Sequence, residues 1–223
     1  MPNIVLVNPK GGAGKSTTAL LLATQLARAA GVSLVDADPN RPVKAWGAGK
    51  GKEALPNLKI IADADEENII ERIEQAAAET PFVVVDLEGT AAKIVLLAVS
   101  QADLVLIPMQ GSHLDAAQAG RALQVIRQQE KMARRTVPFR VVLTRTSPII
   151  RTRTLAHIQN GMESGGVPVM RTQLNEREAF KAMFSFQTSL EGLDPKEVAN
   201  LDKAIANAES FTAEVIEILR EKA

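Results

Sequence analysis

Short, almost wholly apolar runs alternate along the chain with longer segments whose apolar residues recur at helical spacing. Runs such as FVVVD, LVLIP and VVLT lack the polar alternation of a half-exposed strand, which is typical of parallel strands covered on both faces. The pattern predicts strands at Asn3–Asn8, Val32–Asp36, Leu58–Ala62, Phe82–Asp86, Leu104–Pro108, Arg140–Thr144 and Val167–Met170. It predicts helices at Thr17–Ala30, Glu67–Ala78, Ala91–Val99, Leu114–Arg134, Arg151–Met162, Asn175–Phe184 and Lys196–Glu221. This alternation predicts an α/β fold, a mostly parallel twisted sheet with helices on both faces.

The 223 residues suit a single domain over residues 1–223. A domain of this size buries enough surface to be stable without disulfide or metal cross-links. The segment Trp46–Asn57 (WGAGKGKEALPN) is rich in glycine and lysine and is predicted to be an exposed loop. Trp46 itself is expected to be a packing anchor.

The first predicted strand leads directly into NPKGGAGKST (Asn8–Thr17) and then into a helix. This almost matches the phosphate-binding loop G-x-x-x-x-G-K-[ST], with Pro9 in place of the opening glycine. Glycines let successive backbone N–H groups approach a phosphate, and the helix N-terminus adds its positive dipole end. Lys15 would reach the β- and γ-phosphates, and the Ser16 hydroxyl would ligate Mg²⁺. The alternative is a glycine-rich turn without a ligand, which the strand–loop–helix context disfavours.

The same stretch resembles the deviant Walker A motif, K-G-G-x-G-K-[ST], of the ParA/MinD ATPases, and similar small ParF-like partition proteins also carry N-P-K-G-G. The VirC-type ParA-like proteins share D-A-D-x-N-R-P followed by a tryptophan. The resemblance implies ATP and Mg²⁺ as cofactors. It implies that the nucleotide contacts Lys10, Gly11, Gly12, Ala13, Gly14, Lys15, Ser16 and Thr17. It also implies that Lys10 reaches a partner subunit's nucleotide in an ATP-dependent homodimer. A lysine exposed on the loop rim is the alternative.

Carboxylates follow two of the predicted strands. LVDADPNRP resembles the family's D-x-D-P-[QN] segment, which implies that Asp38 positions or activates the attacking water and that Asp36 supports the Mg²⁺ shell. Asp38 before a proline could instead form a turn. PFVVVDLEG resembles the Walker B strand, so that Asp86 would hold Mg²⁺ through water and Gly89 would be an adaptable backbone position. The chain departs from the family's D-x-P-P spelling at Glu88, which we expect to take no catalytic part.

Two weaker matches lie further along the chain. LTRT resembles a strand end that flanks adenine, which implies a stacking role for Arg145. LNEREAF resembles a segment whose backbone, around Asn175, contacts the base. Ordinary packing and turns are equally compatible with both.

The chain has no net charge, since 26 basic and 26 acidic residues cancel, but the charge is unevenly distributed. Between residues 121 and 171 only Glu130 and Glu163 oppose ten basic residues, so this stretch carries +8. The ten are Arg121, Arg127, Lys131, Arg134, Arg135, Arg140, Arg145, Arg151, Arg153 and Arg171. Either a polyanionic partner or ordinary solvated helix faces explain this. With the resemblance, we expect non-specific DNA to bind at Arg151, Arg153 and Arg177.

Several classes of function are excluded or disfavoured. With no cysteine, the chain has no disulfide, zinc–thiolate site or iron–sulfur cluster. His113 and His157 have no companions at a metal spacing. The last helix predicts a core stripe at Phe211, Val215, Ile218 and Leu219, and its polar positions (Glu209, Glu214, Glu217, Glu221) are mostly acidic, so we expect no membrane attachment. The protein is expected to be cytoplasmic and nucleoid-associated, without a signal peptide or an N-terminal helix-turn-helix domain.

The leading hypothesis is therefore an ATPase that dimerises with ATP, binds non-specific DNA and segregates plasmid or chromosomal DNA. The resemblance implies a ParB/ParG-like stimulating partner or a cargo adaptor. Two alternatives stay open. One is a positioning ATPase for a protein cargo or DNA-transfer complex, and the other is a metabolic P-loop enzyme of the dethiobiotin synthetase type.

Overall fold

In the computed structural model, which describes residues 1–88, 92–150 and 152–221, seven strands form one sheet in the order β3-β2-β4-β1-β5-β6-β7. The strands are β1 Asn3–Leu6, β2 Val32–Ala37, β3 Leu58–Ile61, β4 Phe82–Leu87, β5 Leu104–Met109, β6 Phe139–Thr146 and β7 Leu174–Asn175. Every pairing between neighbours is parallel. The predicted α/β architecture is confirmed, and the sheet is wholly rather than mostly parallel.

Helices cover both faces of the sheet. They are α1 Lys15–Ala27, α2 Pro42–Gly47, α3 Lys50–Glu53, α4 Ile69–Glu79, α5 Ala92–Ser100, α6 His113–Ala133, α7 Arg153–Ser164, α8 Glu178–Ser185 and α9 Leu201–Arg220, with a 3₁₀ turn at Leu190–Gly192. One apolar core joins α1, α8 and α9 to the sheet, and a second joins α4, α5, α6 and α7 to the opposite face. The predicted stripe of α9 is confirmed, because Phe211, Val215 and Ile218 are buried in the first core and Leu219 packs at its margin.

The seventh predicted strand, Val167–Met170, is wrong. This segment makes one isolated bridge, between Val141 and Val169, while β7 forms further along the chain at Leu174–Asn175. Pro168 has no N–H to donate, so a regular ladder cannot continue through it. As a result, Asn175 ends a strand instead of starting a helix, and α8 begins at Glu178.

The predicted exposed loop at Trp46–Asn57 is also wrong. The segment contains the end of the short helix α2 and all of α3, and both Trp46 and Gly51 are buried. The glycines serve close packing, since a Cβ on Gly49 would lie 2.6 Å from the Gln187 carbonyl oxygen. The indole N–H of Trp46 donates to the Thr188 carbonyl oxygen at 3.0 Å. The expectation that Trp46 is a packing anchor is therefore confirmed.

One glutamate of α9 also departs from expectation. Glu214, predicted on the polar face, is buried, and its two carboxylate oxygens accept the backbone N–H groups of Arg171 and Thr172 at 2.8 and 2.7 Å. It fixes the turn that precedes β7. The last helix begins at Leu201, later along the chain than predicted.

Candidate nucleotide-binding site

The candidate site lies at the edge of the sheet where the strands' carboxyl ends meet. In parallel α/β sheets, ligands bind in the crevice outside these ends. The glycine-rich loop follows the central strand β1, between the ends of β4 and β5. The segments after β2, β4, β6 and β7 therefore converge on it.

The glycine-rich loop is held in place by side chains of neighbouring segments. Asn8 donates from Nδ2 to the Pro108 carbonyl oxygen at 2.7 Å, and its Oδ1 accepts the backbone N–H of Lys10 at 2.8 Å. Gln110 donates to the carbonyl oxygen of Gly12, and Thr144 to that of Ala13, each at 2.9 Å. Gly12 and Gly14 have φ values of 75° and 97°, which favour glycine. The loop is thus fixed before any ligand arrives.

A cavity of about 350 Å³ opens at this loop. It is lined by Pro9, Gly11, Gly12, Gly14, Lys15, Ser16, Thr17, Asp38, Asn40, Glu88 and Arg145. Lys15 is only 7% exposed, and burial lowers the pKa of its ammonium group, while Asp86, Asp38 and Glu88 act to raise it. The structure therefore gathers the predicted phosphate-loop residues, except Lys10 and Ala13, with Asp38 around one space. The polar lining and the buried ammonium suit an anionic ligand.

Asp36 and Asp86 occupy equivalent, fully buried positions in paired strands, but they differ in their partners. Asp36 accepts the backbone N–H of Lys44 at 2.9 Å and that of Asp38 at 3.3 Å. Burial raises the pKa of Asp36, and these N–H groups oppose the rise. Asp36 thereby ties the start of α2 to β2.

The two carboxylate oxygens of Asp86, by contrast, have no hydrogen-bond partner in the part of the chain that the structure describes. Burial raises the pKa of Asp86 to about 7; the nearby Ser16 hydroxyl opposes this rise, and the charge of Asp36 adds to it. The Ser16 hydroxyl thus faces the carboxylate without completing a well-aligned hydrogen bond to it. A buried, unpartnered carboxylate next to a hydroxyl fits a hydrated Mg²⁺ ion, which would supply positive charge to the phosphates.

Among the described residues, no group of three or more His, Asp or Glu side chains could hold a metal by itself.

Asp38 forms the turn that its position before a proline allows, and it also lies beside the glycine-rich loop. Its Oδ1 accepts the backbone N–H and the side-chain amide of Asn40 at 2.8 and 3.0 Å, so it does form a turn. It also lines the phosphate cavity. Arg41, at a positive φ of 49°, then donates to the carbonyl oxygens of Asp36 and Ala62 and fixes the entry to α2. Glu88 lines the cavity as well, and Gly89 lies outside the described residues.

A second cavity, of about 260 Å³, adjoins the first and is more apolar. It is lined by Gly14, Thr17, Thr18, Thr144, Arg145, Leu174, Asn175, Glu176, Arg177, Phe180, Lys181 and Phe184. Both predicted adenine residues, Arg145 and Asn175, are in this wall. The sequence interpretation missed Phe180 and Phe184, whose spacing of four places both on one face of α8. An apolar cavity beside a phosphate site suits a nucleobase.

Arg145 lines both cavities because of a backbone irregularity. The pairing of β6 with β7 shifts between Thr144 and Thr146, and Arg145 between them has a positive φ of 52°. Such bulges re-aim a side chain. Asn175 donates from Nδ2 to the Thr146 hydroxyl at 3.0 Å, which joins the two strand ends.

Of the three arginines expected to bind DNA, the two that the structure describes lie at different places. Arg177 is half-buried in the wall of the base cavity, and its Nε lacks a hydrogen-bond partner among the described residues. Arg153 is exposed at the start of α7, which Thr152 caps by accepting the Leu155 N–H at 3.1 Å. Arg151 lies outside the described residues. His157 is exposed, and nothing is described of the His113 side chain.

In the described part of the chain, no helix is both long and apolar enough to cross a bilayer.

Comparison with known proteins agrees with this geometry. The family model described as "VirC1 protein" matches residues 1–219. The chain is 40% identical over 222 residues to Protein ParA of Rhizobium radiobacter, covering 99% of both chains. It is 29% identical over 182 residues to the Maintenance of carboxysome distribution protein A of Halothiobacillus neapolitanus, covering 80% of this chain and 81% of the relative.

A solved structure shares the fold at low identity. The ATP complex of a McdA variant from Cyanothece superposes with a TM-score of 0.78 at 17% identity, covering 96% of each chain. The matched length, the order of the strands and the glycine-rich loop after β1 lead to one conclusion: the chain belongs to the VirC1 family, within the ParA/MinD group of P-loop proteins.

Proposed function

We propose that the protein is an ATPase that dimerises when ATP binds, holds non-specific DNA in that state, and releases it after hydrolysis to segregate plasmid or chromosomal DNA. The single observation that carries the proposal is the shared cavity at the end of β1, which brings Lys15, Ser16 and Asp38 around one polar space. The 40% identical relative bears the name ParA, which favours partition over the other family roles.

In this proposal each residue of the site has its own role. The loop backbone and Lys15 bind the phosphates. Ser16 and Asp86 would hold Mg²⁺, which would supply positive charge beside the phosphates. Asp36 holds the segment that carries Asp38, and Asp38 orients the attacking water. The apolar cavity, with Arg145 between it and the phosphates, holds the base.

Lys10 has the remaining role. Its half-buried position directly before Gly11 places it at the beginning of the phosphate loop. By the family resemblance it donates positive charge to the nucleotide of a second copy, as an arginine finger does. The dimer is therefore proposed to exist only with ATP.

The test is the molecular mass of the Asp38→Ala protein in solution, with and without ATP and Mg²⁺. We expect a monomer without nucleotide and a stable dimer with it, since binding persists when hydrolysis stops. Adding Lys10→Ala should return the protein to monomer while ATP still binds. An Asp38→Ala protein that stays monomeric at saturating ATP contradicts the sandwich.

A matched variant separates the two roles of Asp38. Asparagine can still accept the Asn40 N–H groups, so Asp38→Asn keeps the turn but removes the charge. We expect ATP hydrolysis to fall by roughly 100-fold or more in this variant with little change in thermal stability. Retained hydrolysis would mean that Asp38 only forms the turn.

A second candidate function rests on the 29% identical relative, which is named for carboxysome distribution. A positioning ATPase for a protein cargo would use the same ATP cycle. Identifying the protein retained by the ATP-trapped dimer distinguishes the two, because a partition protein should retain a DNA-bound adaptor and a positioning protein should retain its cargo's adaptor.

A further inference from the structure

The structure divides the nine described cations of the basic stretch, all but Arg151, into two groups. Some are engaged within the fold. Arg171 pairs with Glu217 and lies 3.6 Å from Glu214, and Arg135 donates to the carbonyl oxygens of Ser100 and Ala102. Arg140 is half-buried and donates to the carbonyl oxygen of Phe139 at 2.9 Å, and Arg145 lines both cavities of the candidate site. The others are exposed and form no ion pair among the described residues. They are Arg121, Arg127, Lys131 and Arg134 at α6 and Arg153 on α7.

The cations of α6 share one face of the helix. Residues 121, 124, 127, 128 and 131 are exposed and, at 100° per residue, fall within roughly one third of the circumference. Their side chains are Arg121, Gln124, Arg127, Gln128 and Lys131, all cationic or amide. We call these five residues the α6 stripe. No carboxylate interrupts the stripe, and the nearby Glu130 is turned to the Val137 N–H, which it accepts at 2.9 Å.

A neighbouring groove widens this surface. Between α6 and α7 lies a shallow cavity of about 320 Å³, lined in part by Gly120, His157 and Gly161. A Cβ on Gly120 or Gly161 would meet no atom within 4 Å, so the groove is open. Arg153 lies one turn before His157 on α7, on the far side of the groove from the α6 stripe.

Helix stability alone does not explain the stripe. A cation at the C-terminal end of a helix interacts favourably with the helix dipole. This accounts for Lys131 in the last turn and Arg134 just after it, but not for Arg121 or Arg127 in the body of the helix. Arg127 and Lys131 form an i, i+4 pair of like charges, which destabilises a helix by a few tenths of a kcal/mol. An anionic ligand lying along the stripe would remove that repulsion.

We propose that the α6 stripe, together with Arg153, is the surface that holds the phosphate backbone of duplex DNA. This inference rests on the proposed DNA-binding function and places it on α6, away from Arg177 and Arg171. The stripe is about 15 Å long, and duplex DNA carries about nine phosphates over that distance. Glutamine amides are suited to donate to phosphate oxygens beside the cations. An anionic membrane is disfavoured, because Ala119, Ala122 and Ile126 of α6 are buried in the core, and Met132 is the one strongly exposed large apolar side chain among the described residues of α6.

The test compares two triple variants that remove the same charge. The first is Arg121→Gln/Arg127→Gln/Lys131→Gln on the α6 stripe. The matched control is Lys50→Gln/Lys196→Gln/Lys203→Gln, three exposed lysines away from α6 and from both nucleotide cavities. Binding to a labelled mixed-sequence duplex is measured by anisotropy with ATP and Mg²⁺, from about 50 to about 200 mM salt.

We expect the stripe variant to bind DNA at least tenfold more weakly at the lowest salt. The slope of log DNA affinity against log salt concentration should become less steep by about 0.9 for each phosphate that is no longer neutralised. With three cations removed, the slope should change by nearly three units. The control should stay within about twofold of the parent, and ATP-driven dimerisation should be unchanged in both. Equal weakening in both variants would show a general charge effect and overturn the assignment, as would no weakening in either.

The outcomes separate this inference from the proposed function. A parent protein that dimerises and binds DNA, with a stripe variant that binds equally well, rejects the α6 surface and keeps the function. A stripe-dependent affinity that does not need ATP keeps the surface and rejects the ATP switch. Stripe-dependent binding to anionic phospholipid vesicles, with no binding to DNA, rejects both.

Discussion

Asp36 and Asp86 lie opposite each other in the parallel pairing of β2 with β4, and both are fully buried. Asp36 is held by backbone N–H groups from the segment that follows it, whereas the oxygens of Asp86 have no hydrogen-bond partner among the described residues. Two acidic side chains at one level of the sheet thus have different roles. Asp36 stabilises the fold around the site, whereas the buried oxygens of Asp86 are left without hydrogen-bond partners at a cost in stability, which supports our proposal that Asp86 holds Mg²⁺.

The first prediction follows from that cost. Asp86→Asn should raise the stability of the nucleotide-free protein by roughly 1–3 kcal/mol, because it removes a buried charge that has no hydrogen-bond partner among the described residues. The same variant should lack the rise in melting temperature that ATP and Mg²⁺ give the parent protein. Thermal unfolding with and without ligand measures both. A variant that is less stable without ligand would show that Asp86 already has a structural partner.

The stability that Asp86→Asn gains over the parent protein should increase with pH. The pKa of Asp86 is raised in the folded state to about 7 from its ordinary value of 3.8, so between these values the folded protein retains a proton that the unfolded chain releases. The contribution of Asp86 to stability is therefore complete below about pH 4 and disappears as the pH rises towards 7. The advantage of Asp86→Asn should be larger at about pH 8 than at about pH 5.

A second prediction concerns the packing of α2 and α3 against the segment after α8. A Cβ on Gly51 would lie 2.5 Å from Trp46 Cζ2 and 2.7 Å from Thr188 Cα. Gly51→Ala should therefore destabilise the protein by roughly 1–3 kcal/mol.

Gly120→Ala is the matched control for Gly51→Ala. Its Cβ would meet nothing within 4 Å on α6, so the change should stabilise by roughly 0.5–1 kcal/mol. Denaturant unfolding of the two variants gives opposite signs if the packing is correct. A neutral Gly51→Ala would mean that α2 and α3 do not dock on this segment.

A third prediction isolates the Arg145 side chain. Glycine adopts the positive φ of this bulge more readily than arginine, so Arg145→Gly should leave stability unchanged or raise it by up to about 1 kcal/mol. Removing the guanidinium between the two cavities should weaken ATP binding by roughly tenfold, as expected when a charge-assisted hydrogen bond is deleted. Calorimetric titration with ATP and a melting curve test both parts. Unchanged affinity would place the nucleotide elsewhere.

The sequence correctly predicted the strands whose own residues carry a clear hydrophobic pattern. Six strands were predicted within about two residues of their observed ends, because buried parallel strands are continuous apolar runs that depend little on distant context. The predictions failed where one local sequence pattern is compatible with two different structures. Glycine-rich sequence between residues 46 and 57 indicated a loop, yet these glycines permit close approach to a backbone segment far along the chain. In the same way, Val167–Met170 has the residues of a strand but a proline that prevents the ladder.

The sequence by itself determined the α/β architecture, the phosphate loop after β1 and the acidic residues near the ends of β2 and β4, since apolar periodicity and a contiguous motif carry that information locally. Only the tertiary structure decided, within the described part of the chain, that Asp36 has hydrogen-bond partners and Asp86 has none. It also decided that Arg177 lines the apolar cavity beside the glycine-rich loop and that cations without ion-pair partners gather on α6. These properties depend on burial and on hydrogen-bond partners from distant segments. Trp46 and Thr188, for example, are hydrogen-bonded although they lie 142 positions apart, and no local sequence pattern predicts such a pair.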